Sequence, residues 1–393
     1  MNIIKIKTTY RPSIAIVTYY YKPLYGGMET QILVLSQYLS SKGYKITVFT
    51  SNVNGTLSDE YTNNIHIRRF GAAENVTGLK QAYNEIFQEI INTINDFDIL
   101  YMPLGVSHKY PLNNQLEVAK LFFKHQKPVV LRITSSGRIQ EFMNLYSNSK
   151  SFLQQTSKII ALNKGISLEL KSAGVKNNSI FEIPNGVDVN LFTPNNANKN
   201  QKSKKNILPK FIYPCRICEK KKLKELIFDW DIASKANKII KNSELLIIGD
   251  DNRRTEDMCY YEQVKKMICC SNSNIKLISS VDYSEMPGIY RNSDVFICYS
   301  FQEGMSNATL EAMSSGLPVI APKTDAFHSL LCKSPNFTFE QKVNNKIGTI
   351  IKAAEQHENW GQIGLFNRNR IVTKFSLDKV LPSYNQMFMS LIK

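Results

Sequence analysis

The sequence predicts an α/β chain in which two doubly wound parallel sheets follow one another in tandem. Three observations carry this. Short apolar runs alternate with longer amphipathic stretches along the whole chain, and strands alternating with helices build a parallel sheet covered on both faces. The alternation halts once, at the polar run Asn195–Asn206, and then restarts. The length, 393 residues, is too great for one ordinary core and comfortable for two.

In the first half, strands read as Ser13–Tyr20, Lys45–Thr50, Ile65–Phe70, Ile99–Pro103, Pro128–Thr134, Lys158–Leu162 and Ile180–Ile183. Helical patterns such as Met28–Ser41 and Lys80–Asn95 fall between them, and Pro184-Asn185-Gly186 ends the last strand with strong turn chemistry. Asn195–Asn206 holds five Asn, four Lys and nothing aromatic or β-branched, so it reads as an exposed linker. Beyond it, strands read as Phe211–Cys215, Glu244–Gly249, Ile275–Ile278, Asp294–Ser300 and Pro318–Ala321, with helices at Lys222–Asn237, Asp257–Cys269 and Asn307–Ser315. A final stripe, Leu377, Leu381, Tyr384, Phe388 and Leu391, has helical spacing. The expected division is a first domain over 1–190, a linker over 191–206, a second domain over 207–375, and a terminal helix over 376–393. That helix either crosses to the first domain or packs on its own.

Composition narrows the functional classes. The apolar fraction of 43% suits an ordered fold. A net charge of +16 points to anionic partners: nucleic acid, an anionic membrane face or phosphorylated small molecules. The charges are scattered, and no Arg/Lys block is interleaved with aromatics, which argues against nucleic acid. The seven cysteines sit in apolar segments, as free thiols in a reducing cytosol do. Cys215-x-x-Cys218 lacks a second pair to complete a zinc site. Met1–Pro12 lacks a signal peptide's apolar stretch, and no apolar run approaches the ~20 residues a bilayer requires. The expected location is cytoplasmic, with any membrane contact peripheral, on an anionic inner face.

Three segments carry chemistry. In Ser300-Phe-Gln-Glu303-Gly304-Met305-Ser306-Asn307-Ala-Thr-Leu-Glu311, a strand runs through a loop into a helix that Ser306 or Asn307 can cap. Unpaired amides at that helix start attract an anion, and two carboxylates beside them can accept hydrogen bonds from hydroxyls. The plainer alternative makes Glu303 a surface residue and Glu311 a first-turn complement to the helix dipole. Second, Arg216 follows a strand at its carboxyl end, with Lys220, Lys221 and Lys222 just after it. A guanidinium and an ammonium there stabilise charge on a leaving group, although a Lys run is also how a solvated helix starts. Third, Gly26-Gly27-Met-Glu29 follows the first strand and allows close backbone approach, or is a bare turn. It is not the G-x-G-x-x-G dinucleotide fingerprint.

This combination resembles the retaining glycosyltransferases of the family 4 type, which have the GT-B arrangement of two Rossmann-like domains facing a shared cleft. The likeness runs from about Tyr19 onward and is densest over Asp294–Ala321. It rests on Glu303 and Glu311 in E-x7-E, Glu311-Ala312-Met313 with Gly316-Leu-Pro318-Val319, Ile183–Asp188, Arg216 with Lys221, and Gly26, Gly27 and Glu29. The resemblance implies that Arg216 and Lys221 hold a nucleotide diphosphate, Glu303 contacts the donor sugar and Glu311 the ribose. Amides of Gly304, Met305, Ser306 and Asn307 would line the sugar-phosphate pocket, with Gly26 and Gly27 closing over it. It implies no metal and no cofactor beyond the nucleotide sugar, and a glycan, lipid-linked or small-molecule acceptor.

The chain departs from the pattern at Cys215, at Gly249-Asp250-Asp251, at Ser279 and at Thr324-Asp325-Ala326. Where many members carry a cleft His, this chain has Ile133-Thr-Ser135-Ser136-Gly-Arg138, so Ser135, Ser136 and Arg138 become the acceptor-side candidates. The departures leave open a second reading, a non-catalytic GT-B subunit of a glycan-assembly complex. Asp96-x-Asp98 and Asp229-x-Asp231 match a metal-binding D-x-D. However, the second pair diverges on a helix and the first reads as a helix-to-strand connection. His108 and His328 are loop histidines that could line the cleft.

Overall fold

The computed structural model describes residues 11–24, 26–53, 55–72, 76–104, 112–195, 208–249, 255–341 and 345–392. The N-terminal extension up to Tyr10, nearly all of the Asn/Lys-rich linker, His108, Asp250 and Asp251 lie outside the described residues.

The first sheet contains β1 (Ser13–Val17), β2 (Lys45–Ser51), β3 (Asp59–Thr62), β4 (Ile65–Phe70), β5 (Ile99–Leu104), β6 (Val129–Ile133), β7 (Lys158–Ala161) and β8 (Ile180–Glu182). Its helices are α1 (Gly27–Ser41), α2 (Val76–Thr93), α3 (Leu112–Lys124), α4 (Arg138–Leu145), α5 (Ser149–Gln155) and α6 (Lys164–Ser172). The strand order is β3-β4-β2-β1-β5-β6-β7-β8. Every pairing is parallel except β3 with β4, an edge hairpin that the sequence pattern did not reveal. Ladder pairing of β1 stops at Val17 instead of Tyr20, although Thr18 N still donates to Phe49 O at 3.0 Å.

The second sheet contains β9 (Lys210–Pro214), β10 (Glu244–Ile248), β11 (Ile275–Ile278), β12 (Val295–Ile297), β13 (Val319–Pro322) and β14 (Phe337–Phe339), in the order β11-β10-β9-β12-β13-β14, all parallel. Around it lie α7 (Leu223–Ala236), α8 (Lys238–Lys241), α9 (Thr255–Cys270), α10 (Met286–Arg291), α11 (Asn307–Ser314), α12 (Asp325–Leu331), α13 (Lys346–Glu355) and α14 (Trp360–Lys374).

The last helix, α15 (Leu377–Met389), lies on the first sheet. Its buried residues are Val380, Tyr384, Met387 and Phe388, so the buried stripe is rotated slightly from the sequence-predicted one. They join Ile14, Ile16, Tyr101, Val130 and Ile160 in one apolar cluster, and Tyr44 donates to Asn385 Oδ1 at 2.9 Å. The chain therefore passes between the two sheets twice, and the two passages pair. Val187 N donates to Phe375 O at 2.9 Å and Leu377 N to Val187 O at 3.1 Å.

In the two D-x-D matches, Asp98, Asp229 and Asp231 hold local structure. Asp98 accepts from Ser13 N and Oγ at 2.7 and 2.8 Å, while Asp96 is exposed in a 3-10 turn. Asp229 is bonded by Tyr299 Oη at 3.0 Å, whereas Asp231 turns to Ser271 and Ser273 at 2.6 Å each. All seven cysteines are free thiols.

Candidate active site

The second sheet reverses its winding between β9 and β12, with β10 and β11 on one side and β13 and β14 on the other. A crevice opens beyond the carboxyl ends of strands at such a point. The loops leaving β9 and β12 carry the sequence-predicted donor residues of this half.

After β9 the chain passes Cys215 and the exposed Arg216, then makes a 3-10 turn over Glu219–Lys221. Lys222, at φ 55°, ends the turn in the left-handed region and starts α7. The Lys run is therefore a sharp turn and not the first turn of a helix. Gly249 lets the neighbouring loop pass. A Cβ there would lie 1.9 Å from Cys215 O, and its φ of +154° favours glycine. Tyr213 Oη donates to Lys221 O at 3.2 Å, and Lys221 Nζ reaches Glu303 Oε1 at 2.5 Å. Glu303 is thus an ion-pair partner with 14% side-chain exposure, not a free surface residue. Burial disfavours the Lys221 ammonium, but the Glu303 carboxylate outweighs this and holds its pKa above the ordinary value.

After β12 the loop reaches Ser306, whose Oγ accepts from Thr309 N at 3.2 Å and caps α11. Glu311 is the fifth residue of α11, past the first turn, so it is not a first-turn complement to the helix dipole. It is 8% exposed, and Tyr290 and Tyr283 donate to its carboxylate at 3.0 and 3.2 Å. Burial, only partly offset by these hydrogen bonds, pushes its pKa up to about 7. Phe192 packs edge-on against both tyrosines.

The first domain forms the opposite wall. Ser136 Oγ donates to Glu303 O at 3.2 Å, and Asn163 Nδ2 to Gly304 O at 2.6 Å. Gly304 is pressed against the turn after β6, where a Cβ would lie 2.2 Å from Thr134 O. Asn185 Nδ2 donates to Asn307 Oδ1 at 2.7 Å and Met305 O at 3.3 Å; Asn307 Nδ2 then donates to Gly27 O at 2.8 Å. Gly26 precedes α1 in extended backbone, with Glu29 folded over it. Arg138 Nε donates to Ser135 Oγ at 2.9 Å and its guanidinium pairs with Glu141. Burial lowers the pKa of Lys220 and the nearby Arg138 lowers it further, with Glu141 and Cys218 pulling the other way and Arg216 contributing least. Cations from both walls therefore converge near the outer edge of the Glu219–Lys221 turn.

The fold thus brings Lys221, Glu303, Gly304, Met305, Asn307, Gly27, Ser135, Ser136 and Arg138 to one cleft, with Arg216 and Lys220 at its rim. Glu311 stands apart from Glu303, held by tyrosines and not by Lys221. His328 is exposed on α12. Sequence reading missed Asn163, Tyr283 and Tyr290, which no local pattern marks, and gave Asn185 no site role beyond the turn and the Ile183–Asp188 element. Among the described residues no group of three or more His, Cys, Asp or Glu is arranged to hold a metal ion.

Two tandem Rossmann-like domains with a polar cleft at their switch points define the GT-B fold. Residues 25–191 match the family described as Glycosyltransferase Family 4, and residues 209–347 match Glycosyl transferases group 1. The chain is a glycosyltransferase of the GT-B fold. It is 25% identical to the Staphylococcus aureus capsular polysaccharide biosynthesis glycosyltransferase CapM over 346 residues, covering 80% of this chain and 88% of that protein. It is 27% identical over 250 residues to the Escherichia coli UDP-Gal:alpha-D-GlcNAc-diphosphoundecaprenol alpha-1,3-galactosyltransferase, covering 60% of this chain and 61% of that one. Among solved structures, sucrose-phosphate synthase from Thermosynechococcus elongatus superposes with a TM-score of 0.76 at 15% identity, over 97% of this chain and 99% of that one. Anabaena Alr3699/HepE in complex with UDP-glucose does so at 0.72 and 15%, over 97% and 100%.

Proposed function

We propose that this protein transfers a glycosyl group from a nucleotide diphosphate sugar to a hydroxyl of a glycan or lipid-linked acceptor, with retention of anomeric configuration, in cell-envelope glycan assembly. The observation that carries this reading is the Lys221–Glu303 pair at the switch point, beside the capped start of α11 and the tyrosine-bonded Glu311. Arg216 and Lys221 hold the diphosphate. Glu303 accepts from sugar hydroxyls and Glu311 from the ribose, while amides of Gly304–Asn307 and the Gly26-Gly27 turn close on the sugar phosphate.

In the transfer step the bond from the anomeric carbon to the phosphate oxygen breaks, and its electron pair leaves with the nucleotide diphosphate. The acceptor oxygen bonds to the same face of that carbon, and its proton passes to the departing phosphate. Arg216 and Lys221 offset the charge that grows there. Ser135, Ser136 and Arg138 line the side from which the acceptor enters. The likeness to CapM and to the galactosyltransferase, whose name gives a diphosphoundecaprenol-linked acceptor, supports envelope chemistry with peripheral contact at an anionic membrane.

The test is a panel of nucleotide sugars with the purified protein, reading the released nucleotide diphosphate with and without membrane-extracted acceptor. Release that Arg216→Ala abolishes supports the reading. Binding of a glycan without turnover of any donor points instead to a non-catalytic subunit.

A further inference from the structure

Arg132 lies in β6, in the interior of the first sheet, and is 2% exposed. It shares the sheet face with Val130, beneath α15. Tyr101 and Tyr384 are the titratable groups that face it. Among the described residues no carboxylate pairs with it, and its Nε has no hydrogen-bond partner. A buried guanidinium without a counter-charge carries a desolvation cost, which an apolar side chain of similar volume would relieve while giving up its hydrogen bond. Its presence in a core strand therefore calls for a gain elsewhere.

The gain lies in the hydrogen bond it makes to the chain passage between the sheets. The Arg132 guanidinium donates to Asn185 Oδ1. Arginine can only donate, so Asn185 must present its oxygen to Arg132 and its NH₂ to the opposite side. That NH₂ donates to Asn307 Oδ1 at 2.7 Å and to Met305 O at 3.3 Å. Asn307 is then fixed in turn, with its own NH₂ donating to Gly27 O at 2.8 Å. A primary amide can flip end for end at little steric expense. Two in series, with a donor-only group at one end, have a single satisfied sense.

We propose that Arg132 is a positioning residue, setting the direction of a relay from Arg132 through Asn185 and Asn307 to Gly27 that locks the start of α11 against the start of α1 across the cleft. Asn185 belongs to the chain passage between the sheets, so the relay joins hinge, donor loop and opposite wall. Its bearing on donor binding rests on the function proposed above; the relay itself does not.

Three variants test it. Arg132→Met removes the charge and the donor at similar volume, Arg132→Lys keeps a donor, and Asn185→Asp keeps the acceptor for Arg132 but loses the NH₂. Hydrogen–deuterium exchange without ligand follows the peptides spanning 26–31 and 303–311. Arg132→Met is expected to hold its thermal midpoint while exchange in both peptides rises about tenfold, with Arg132→Lys between it and wild type. Asn185→Asp gives Arg132 a buried counter-charge but sets a carboxylate oxygen against Asn307 Oδ1 and Met305 O, so exchange in the same peptides increases while the Arg132 contact is kept. With UDP as probe, affinity falls in the order wild type, Arg132→Lys, Arg132→Met. Unchanged exchange in a folded Arg132→Met protein overturns the relay, as does a loosening spread evenly over the whole first domain. A wild-type protein that binds no nucleotide counts against the proposed function alone, because ligand-free exchange still decides the relay.

Discussion

Glu311→Gln should make the second domain more stable at alkaline pH and less able to bind nucleotide. Burial raises the Glu311 pKa from 4.5 to about 7. At ~1.4 kcal/mol per pH unit, that rise amounts to about 3 kcal/mol. Below about pH 4.5 the carboxyl is protonated in both folded and unfolded chains, and its full contribution to stability is present. As pH climbs toward 7 the unfolded chain releases its proton while the folded one retains it, so stability is lost. Above about 7 both are ionised and the loss is complete. Gln has the same shape and no titration, and Tyr290 and Tyr283 can turn their hydroxyls to suit it. The two proteins should therefore differ little at pH 5, and the variant should be more stable by up to about 3 kcal/mol at pH 8. Both tryptophans, Trp230 and Trp360, lie in the second domain, so their fluorescence in urea reports on that domain. Other titrating groups are common to both proteins and cancel in the difference. A gap between variant and wild type that stays constant from pH 5 to 8 would refute the reasoning. In the functional arm, calorimetry at pH 8 should show weaker nucleotide diphosphate binding for the variant, because an amide accepts ribose hydroxyls less strongly than a carboxylate.

Arg216→Ala should lower turnover on the order of 10²-fold or more with little change in the unfolding midpoint, because Arg216 is exposed; steady-state nucleotide release and a thermal melt check both. Gly304→Ala places a Cβ 2.2 Å from Thr134 O and 2.9 Å from Ser135 Cα. It should prop the cleft open and reduce kcat by about tenfold or more, with a larger radius of gyration in small-angle scattering. Truncation after Lys374 removes the buried Val380, Tyr384, Met387 and Phe388. At ~2 kcal/mol for each buried side chain the loss rivals a domain's whole margin, so the first domain should unfold at lower temperature. An unchanged melt with full activity would contradict that.

The fold class was legible because central strands are largely apolar runs, unbroken in Ile99–Leu104 and Val295–Ile297, and lie between amphipathic stretches. The edge elements were not. Asp59–Thr62 alternates in burial without being apolar, and Phe337–Phe339 is too short to register. Chemistry was legible where one segment holds several unusual residues together, as Ser300–Glu311 does. It was illegible where a partner is set by topology. Nothing around Tyr283 or Tyr290 foretells a carboxylate between them, and nothing local to Asn163 foretells Gly304 O. Arg132 was hidden for another reason: a charged residue within Val129–Ile133 reads as an interruption of an apolar strand, while its consequence lies at Asn185, far along the chain.

These contacts also explain how the two domains are held without being fused. Apolar burial ties the domains through α15 and the paired passages at Val187 and Ser376, and continues through Phe192 against Tyr283 and Tyr290. Across the cleft, the contacts described above are mainly amide-to-carbonyl and amide-to-amide hydrogen bonds from Asn163, Asn185 and Asn307, with one from Ser136. Each is worth ~1 kcal/mol net, since water replaces it on opening. The tie therefore resists separation strongly at the hinge and weakly at the site. A difference of a few kcal/mol is within what a bound ligand's unequal contacts with the open and closed forms supply. Closure can then follow donor binding and reverse on product release, provided the donor loop meets the other wall in one defined arrangement, which a polar relay with a fixed direction provides and an apolar contact would not.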